Sequence, residues 1–245
     1  MLPPTSHPYN PNSPHLPQKF QTWHQTWKTH HPTWHHILWS DHDNRRLIST
    51  HYPWFLPYYD RLPSAITRAD ASRYFYMHHY GGIYVDLDSE CLKPFDTLLS
   101  DAPAYVASMT GDMSFDHDIP NAWLASSKGH PFWLHVVGRI MGNVDSLRQG
   151  GAEEVTGPVV LMKAWRDYHS KVPGGEREPI KLLDKGVIYP YSWNNAPPGE
   201  ASCWGGESNS AFDPDECKRV LNSTGKLTNQ SHMITYWTHS WKDEN

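Results

Sequence analysis

Residues 63–96 read PSAITRADASRYFYMHHYGGIYVDLDSECLKPFD, and this stretch decides the fold. Its first half predicts a helix, because Ser64 can cap the start and neither Gly nor Pro interrupts the run before Gly81-Gly82. The glycine pair predicts the end of the helix, since glycine adopts left-handed backbone angles at little cost. Residues 83–85 (IYV) are typical of a short β-strand that leads into residues 86–88 (DLD).

Two side-chain periodicities bring acidic and basic groups together in this stretch. On the helix, Asp70 and Arg73 are three positions apart and therefore share one face. On an extended strand, Tyr84, Asp86 and Asp88 point to one side of the sheet. The sequence therefore predicts two carboxylates at the carboxyl end of a buried strand, beside a helix that carries an acid and an arginine. In α/β sheets this edge is where ligands bind.

This arrangement suits a bound cation and a phosphate group. Carboxylate oxygens are hard ligands for Mg²⁺ or Mn²⁺, which proteins usually hold with a few carboxylates and substrate phosphates. Arg73 offers a planar fork of donors to a phosphate or a sugar. A surface ion pair is the competing interpretation for the helical pair, and other D-x-D pairs occur at 41/43, 116/118 and 213/215. The diagnostic feature is the ordered combination of R-x-D-x-x-R-Y and GG-x-Y-x-D-x-D.

This combination resembles the DXD-containing family 32 glycosyltransferases, which include the initiating α-1,6-mannosyltransferase of the Golgi and the inositol-phosphoceramide mannosyltransferases. The segment CLKPFD at 91–96 also matches that family. The spacing of the acids and the second arginine is similar to that of the glucosylating bacterial toxins, which share the GT-A fold. The matching positions are Arg68, Asp70, Arg73, Tyr74, Gly81, Gly82, Tyr84, Asp86 and Asp88.

The resemblance implies an α/β fold of the GT-A type, in which helices flank a Rossmann-like mixed sheet in a single domain. It also implies a nucleotide-sugar donor, a divalent metal (Mn²⁺ or Mg²⁺) and retention of configuration at the transferred sugar. Asp70 and Arg73 would hold the donor sugar, and Asp88 would ligate the metal. Asp86 would contact the sugar or ribose and join the metal site. The other donor-binding residues implied in this stretch are Arg68 and Tyr84.

Two later segments extend the resemblance. Asn121 begins a family-like N-A-hydrophobic segment, which implies a place near the donor sugar or the acceptor; an Asn in a turn is the competing interpretation. The family ends in a similar His…Ser-Trp, which implies His239 as a further metal ligand and Trp241 as a lid over the donor. His232 is the alternative ligand, and ordinary core packing is the alternative for Trp241.

The N-terminus departs from the family pattern. Members normally begin with a strand reading roughly I-P-K-I-I-H-Q-T-W, which supplies part of the nucleotide-base pocket. Residues 24–27 (HQTW) resemble its end, but no apolar strand precedes them. Either residues 19–28 are the helix that follows a missing strand, or residues 16–27 take the place of that strand. Residues 1–17 are rich in Pro, Ser, Asn and His and predict a disordered or linker segment, so the domain is expected to span 18–245.

The rest of the chain predicts alternating strands and helices. A Thr-Gly-Pro turn at 156–158 matches the family and leads into a helix. Residues 194–231 are polar and rich in Gly and Pro, which predicts an irregular acceptor-side or lid region, with disorder as the competing view. The expected strands are 36–39, 104–108 and 187–191, and the expected helices cover 43–48, 131–148 and 159–168.

The composition limits the cellular compartments and the classes of binding partner that we expect for this chain. The net charge is −5 and the chain has no block of basic residues, so the composition does not favour binding of nucleic acid. The sequence contains no run of eighteen apolar residues, so no membrane span is predicted in it. Cys203 and Cys217 are able to pair across a loop, which would leave Cys91 buried. The sequons at Asn222 and Asn229 mildly favour a secretory lumen. We therefore expect a Golgi or secretory-pathway location, with any membrane attachment through a segment outside this chain.

The leading hypothesis is a metal-dependent retaining glycosyltransferase, most similar to those that move mannose from GDP-mannose to a glycan or glycolipid. A UDP-sugar donor stays open, because related members use such donors. The absent first strand motivates a second hypothesis, a non-catalytic sugar-nucleotide-binding pseudoenzyme. A metal-dependent phosphohydrolase would also use paired aspartates, but it needs more ligands than Asp86, Asp88 and His239.

Overall fold

The computed structural model describes residues 5–6, 16–144, 150–170, 177–194, 198–206 and 209–238. The strands are β1 (Thr5–Ser6), β2 (Leu38–Trp39), β3 (Gly82–Val85), β4 (Ser89–Cys91), β5 (Ala104–Ala107), β6 (Trp123–Ser126), β7 (Ile180–Leu183) and β8 (Met233–Thr235). The helices are α1 (Gln18–His30), α2 (Asp41–His51), α3 (Leu56–Tyr59), α4 (Ala65–His79), α5 (Phe132–Gly142), α6 (Ala152–Val155), α7 (Pro158–His169) and α8 (Pro214–Ser223), with a 3₁₀ helix at Pro198–Cys203.

A mixed four-stranded sheet, in the order β3-β6-β5-β7, forms the centre of the molecule. Strand β6 is antiparallel to both of its neighbours, whereas β5 and β7 are parallel. Alternate side chains of each strand enter two separate cores: Tyr84 faces the core built with α4, α5 and α7, and Ile83 and Val85 face the core built with α1 and α8. The sheet is therefore covered on both faces, which confirms the predicted α/β class.

The helix–Gly-Gly–strand unit has the predicted form. Ser64 caps α4 in a capping box with Thr67, since each side chain accepts a bond from the other residue's backbone N–H. Gly81 has φ = +68° and Gly82 has φ = +88°, so both adopt the left-handed region. A Cβ on Gly81 would lie 2.5 Å from the backbone N of Lys128. Glycine is therefore required at position 81 by space as well as by conformation.

The N-terminal half resolves the alternative that the sequence left open. Residues 24–27 lie inside α1, so the proposal that residues 16–27 replace the first strand is wrong. Helix α1 packs on β4, where the indole Nε1 of Trp27 donates to Ser89 O at 3.0 Å and Cys91 N donates to Thr26 Oγ1 at 2.8 Å. Strand β1 pairs in parallel with β2, so a two-residue strand precedes the helix. The domain boundary at residue 18 stays a prediction.

Two predictions in the second half are wrong. Residues 187–191 do not form the predicted strand; the strand of this region is β7, which pairs with β5. The hydrogen bond from Ser108 N to Leu183 O, at 2.9 Å, continues this ladder, and Gly186 (φ = +88°) then turns the chain. The region 194–231 is not wholly irregular, because it contains α8. Asp213 caps α8 by accepting from Asp215 N and Glu216 N, with Pro214 at the first helical position. The Asp-Pro signal for this helix was present in the sequence.

Other predicted elements are confirmed with different bounds: α2 and α7 are longer than predicted, and β2, β5 and α5 are shorter. Helix α5 ends at Gly142, and residues 145–149 of the predicted 131–148 helix lie outside the described residues. A disulfide joins Cys203 and Cys217, whose Cα atoms are 4.7 Å apart, and Cys91 is buried as a free thiol, as predicted. None of the described helices is both long and apolar enough to cross a membrane.

Candidate active site

Asp86 follows the last residue of β3 and extends its ladder by one bond, from Asp86 N to Ala122 O at 2.9 Å. The Tyr84 hydroxyl donates to Asp86 Oδ1, so these two side chains share one side of the strand, as predicted. The next two residues form a turn, so the expected extended backbone through Asp88 is wrong. The position of Asp88 is therefore set by something other than strand alternation.

The C-terminal segment holds Asp88 in place. The backbone N–H of Tyr236 donates to Asp88 O at 2.9 Å, next to the antiparallel β4–β8 ladder. Asp88 Oδ2 accepts from Thr238 N at 2.8 Å and from Thr238 Oγ1 at 3.1 Å, and Oδ1 accepts from Thr235 Oγ1 at 3.3 Å. The carboxylate is thereby oriented by groups about 150 residues away in sequence.

Arg73 joins α4, β3 and the segment before β6. Its Nη2 lies 2.9 Å from Asp70 Oδ1, and its Nη1 lies 3.5 Å from Asp86 Oδ1. The same Nη1 donates to Asn121 O at 2.8 Å, and the guanidinium carbon lies 4.8 Å from the centre of the Tyr84 ring. Arg73 Nε is buried, and the described residues provide no hydrogen-bond partner for it. The predicted helical pair is therefore a buried cluster and not a surface ion pair.

Asp70 has two further partners, one of which the sequence did not identify. Asn121 Nδ2 donates to Asp70 Oδ1 at 3.0 Å, and Thr156 Oγ1 donates to Asp70 Oδ2 at 3.2 Å. The backbone oxygen of Thr156 accepts from Tyr74 OH at 2.8 Å. The Thr-Gly-Pro turn thus supplies a side chain to the cluster, whereas the sequence indicated only a turn before α7.

Asp70 and Asp86 share one guanidinium, and the charge of Asp88 also acts on Asp86. This excess of negative charge favours binding of a further cation. Burial raises the pKa of Asp70, against the opposing effect of Arg73. Burial also raises the pKa of Asp86, to about 7, with Arg73 acting to lower it and Asp88 acting to raise it. Burial lowers the pKa of Arg73, but the neighbouring Tyr84, Asp86 and Asp70 outweigh it, so the pKa is raised and the group stays charged.

The cluster opens to solvent mainly at Asp86. The side chain of Asp86 is 23% exposed, against 7% for Asp70 and 3% for Arg73. An incoming ligand therefore meets the Asp86 carboxylate first, and the Arg73 guanidinium lies 3.5 Å from that carboxylate.

Two predicted residues lie elsewhere. Arg68 Nη1 donates to Leu62 O at 3.0 Å, and its side chain lines a different cavity, of about 500 Å³, next to Asp41. The β4–β8 register places His232 opposite the end of β4 remote from Asp88, where its Nδ1 lies 3.0 Å from Pro94 O. His239 and Trp241 lie outside the described residues, so their assigned roles stay predictions.

The side chains present fit a divalent metal in part. Asp86 and Asp88 provide hard oxygen ligands two positions apart in the chain, and each carboxylate oxygen can accept more than one partner. Within the described residues, no group of three or more His, Cys, Asp or Glu side chains is arranged to hold a metal. The pair therefore suits an ion that takes its remaining ligands from phosphates and water, as Mg²⁺ and Mn²⁺ usually do.

Fold and site together match the architecture that the family resemblance implies, a mixed sheet with a DXD segment at its carboxyl edge. Residues 17–105 match the family described as "Glycosyltransferase sugar-binding region containing DXD motif". The family resemblance predicted from the sequence is thereby confirmed, and the chain carries the DXD sugar-binding region. The GT-A fold prediction is confirmed by a solved structure, the PaToxG glycosyltransferase, with a TM-score of 0.51 and 14% identity over 64% of this chain and 65% of that one.

Curated relatives in three yeasts extend the similarity. Inositol phosphoceramide mannosyltransferase 2 of Schizosaccharomyces pombe is 34% identical over 168 residues, which are 61% of this chain and 47% of that protein. A mannosyl phosphorylinositol ceramide synthase of Saccharomyces cerevisiae is 32% identical over 80% of this chain and 54% of its own. The initiation-specific alpha-1,6-mannosyltransferase of Candida albicans is 26% identical over 51% and 38%. The chain thus spans about half the length of the first two relatives.

Proposed function

We propose that this protein is a metal-dependent retaining glycosyltransferase that moves mannose from GDP-mannose to a glycolipid head group. The observation that carries the proposal is the buried Arg73 guanidinium, which joins Asp70, Asp86 and Asn121 at the carboxyl edge of the sheet. The activities for which the yeast relatives are named support mannose as the sugar and a sphingolipid as the acceptor.

In this proposal each cluster residue has a distinct task. Asp70 and the amide of Asn121 bind hydroxyl groups of the donor sugar, and Asp70 is kept in place by Thr156. Arg73 presents a fixed positive charge to the departing nucleoside diphosphate, whose charge increases as the glycosidic bond breaks. Asp86 and Asp88 are the residues that would hold Mn²⁺ or Mg²⁺. When bound, such an ion supplies Lewis-acid stabilisation of the diphosphate.

Retention without an enzyme-bound intermediate requires the acceptor hydroxyl to attack from the face that the diphosphate leaves. Asp70 accepts bonds from Asn121 and Thr156 and pairs with Arg73, which matches a residue that positions the sugar rather than one that attacks it. We therefore expect front-face attack. Mass spectrometry of a donor-treated protein that detected a sugar bonded to Asp70 or Asp86 would overturn this part of the mechanism.

Donor hydrolysis in the presence of Mn²⁺ tests the proposal. GDP-mannose, UDP-glucose, UDP-galactose and UDP-N-acetylglucosamine are compared, and GDP-mannose is expected to release intact GDP fastest. Asp88→Ala should abolish this release, since the substitution removes a proposed metal ligand. Asp215→Ala is the matched control: it belongs to another D-x-D pair, its side chain is 89% exposed, and its loss should leave hydrolysis unchanged.

The same assay separates the alternatives. Donor binding without turnover would favour the pseudoenzyme, and preference for a UDP-sugar would replace the donor assignment. Release of inorganic phosphate in place of an intact nucleoside diphosphate would favour the phosphohydrolase.

We further propose a Golgi or secretory-lumen location. The disulfide between Cys203 and Cys217 supports it, because such bonds persist in oxidising compartments. Asn222 and Asn229 are exposed, as sequons must be if they are to be glycosylated. A gel shift on treatment of the natively expressed protein with an N-glycosidase tests this location.

A further inference from the structure

A second cavity opens at the same edge of the sheet as the carboxylate cluster. It has a volume of about 590 Å³ and lies at the carboxyl ends of the parallel strands β5 and β7. This volume is in the range of small-ligand sites. The residues that characterise it are Thr110, Asp112, Phe115, Lys185, Tyr189 and Asn194.

A buried acid shapes one rim of this cavity. The fully buried Asp118 accepts from Ser108 Oγ at 2.6 Å, from Thr110 N at 2.7 Å and from Gly111 N at 3.1 Å. Gly111 has φ = +80°, and a Cβ there would lie 3.2 Å from Cδ of Lys185. The aliphatic part of Lys185 therefore packs on this rim, and Lys185 is one of the residues that line the cavity.

The charged groups around the cavity are not equivalent. Lys226 also lines it, but its Nζ pairs with the buried Glu200. Asp112 Oδ1 accepts from Ser114 N at 2.9 Å and from Ser114 Oγ at 2.6 Å, which leaves its second oxygen for a hydroxyl donor. Lys185 is exposed, and the described residues give it no ion-pair partner. Lys185 is therefore the cation that remains for an anionic ligand.

The uncharged lining suits a ring that carries hydroxyl groups. Phe115 and Tyr189 offer aromatic surface, and Asn194, Gln230 and Thr110 offer amide and hydroxyl groups. Amides and hydroxyls both donate and accept, which matches the alternating needs of polyol hydroxyls. A polyol that bears a phosphate uses both the aromatic and polar lining and the Lys185 charge, whereas inorganic phosphate uses the charge alone.

Tyr189 forms the wall between this cavity and the carboxylate cluster. Its ring stacks on Trp237 at 5.6 Å, and its hydroxyl donates at 3.4 Å to the backbone oxygen of Pro120, the residue before Asn121. A ligand in the cavity is therefore adjacent to the donor site.

We propose that this cavity binds the acceptor head group, a phosphate-bearing polyol, with Lys185 on the phosphate and the aromatic and amide lining around the ring. The inference rests on the proposed glycosyl transfer, and it assigns to that reaction an acceptor subsite made of the loops after β5 and β7.

Calorimetric titration of the full chain with myo-inositol 1-phosphate tests the proposal. Lys185→Met should weaken binding about tenfold, the size expected for loss of one charge-assisted hydrogen bond. Lys185→Arg should retain most of the affinity. Lys181→Met is the matched control, because Lys181 lies on the same strand region but pairs with Asp101 on the surface. GDP-mannose affinity should be the same in all three variants.

Several outcomes would overturn the proposal: no binding of myo-inositol 1-phosphate, equal binding by the Lys185→Met variant, or inorganic phosphate or free myo-inositol binding as tightly as the phosphorylated polyol. Donor hydrolysis measured in parallel separates the two assignments. A chain that hydrolyses GDP-mannose but binds the polyol phosphate independently of Lys185 overturns the cavity proposal alone. A chain that binds it through Lys185 but hydrolyses no donor overturns only the proposed function.

Discussion

At the scale of single residues, Asp86 is held where its negative charge is unfavourable. Folding moves the carboxylate into a partly closed cluster with two other acids, and one guanidinium does not offset the loss of hydration. Such a group is stabilised by a bound cation and destabilises the protein without one. This is the physical signature of a binding residue rather than of a stabilising ion pair.

Asp86→Asn is expected to stabilise the protein in the absence of donor and metal. The folded-state pKa of about 7 lies above the ordinary value of 3.8, so the folded state holds the proton more tightly, and wild-type stability falls as pH rises from about 4 to 7. The variant lacks this loss and should be more stable by on the order of 2 kcal/mol at pH 8. Thermal unfolding at pH 5 and pH 8 checks it, and a stability difference that does not grow with pH would contradict the prediction.

Thr156 should matter for activity through its hydroxyl. Thr156→Val removes the bond to Asp70 Oδ2 and leaves a buried acceptor with one partner fewer, which typically costs about 1–3 kcal/mol. We expect GDP-mannose hydrolysis to fall about tenfold, whereas Thr156→Ser should retain it. Equal hydrolysis rates in the Val and Ser variants, both folded as judged by circular dichroism, would show that Asp70 does not depend on this bond.

At the scale of secondary-structure elements, the connection between α4 and β3 sets the geometry of the cluster. Asp70 and Arg73 lie on the helix and Asp86 follows the strand, so the angle at Gly81-Gly82 determines their separation. Both glycines have positive φ, and the Gly81 position touches the backbone after β6. The helix, the turn and the strand therefore act as one rigid unit.

Gly81→Ala should lower the stability by about 3 kcal/mol, since it adds a positive-φ penalty to a steric clash with the Lys128 backbone at 2.5 Å. Gly129→Ala is the matched control: Gly129 has φ = +85° but nothing within 4 Å of an added Cβ. It should cost only about 1 kcal/mol. Chemical denaturation of the two variants measures the difference, and equal losses would mean that the backbone conformation alone requires glycine at position 81.

At the scale of the whole molecule, the C-terminal segment completes the site from a distance. Strand β8 pairs with β4, and the residues after it bind Asp88 through Thr238. Helix α8, which packs on the 3₁₀ helix Pro198–Cys203 and is bonded to it by the disulfide, lies just before this segment in the chain. We therefore expect the disulfide to stabilise the C-terminal segment, from which Thr235 and Thr238 donate hydrogen bonds to Asp88.

Removing this disulfide with Cys203→Ser and Cys217→Ser should cost about 3 kcal/mol, as expected for a closed loop of about 15 residues, or roughly 6–12 °C in Tm. The double variant should no longer respond to a reducing agent. Cys91→Ser serves as the control, because Cys91 is a buried free thiol, and its Tm should still fall on reduction. A wild-type Tm unchanged by complete reduction would contradict the prediction.

Features that depend only on residues close together in the chain could be predicted from the sequence. The cap at Ser64, the glycine turn, strand β3 and the shared face of Asp70 and Arg73 all follow from neighbours within a few positions. Helix α8 was missed even though its Asp-Pro start was visible, because the surrounding polar composition favoured a loop. The strand was expected at 187–191, since apolar and aromatic residues favour strands and their burial outside the sheet leaves no local signal.

The sequence by itself determined the helix–turn–strand unit, the DXD family, and the identity of the residues at the centre of the cluster. Only the tertiary structure decided that Asp88 is oriented by Thr235 and Thr238, that Thr156 supports Asp70, and that Arg68 faces another cavity. The reason is physical: helix and strand periodicity act over a few residues, whereas these contacts join segments brought together by burial of two cores on the faces of one sheet.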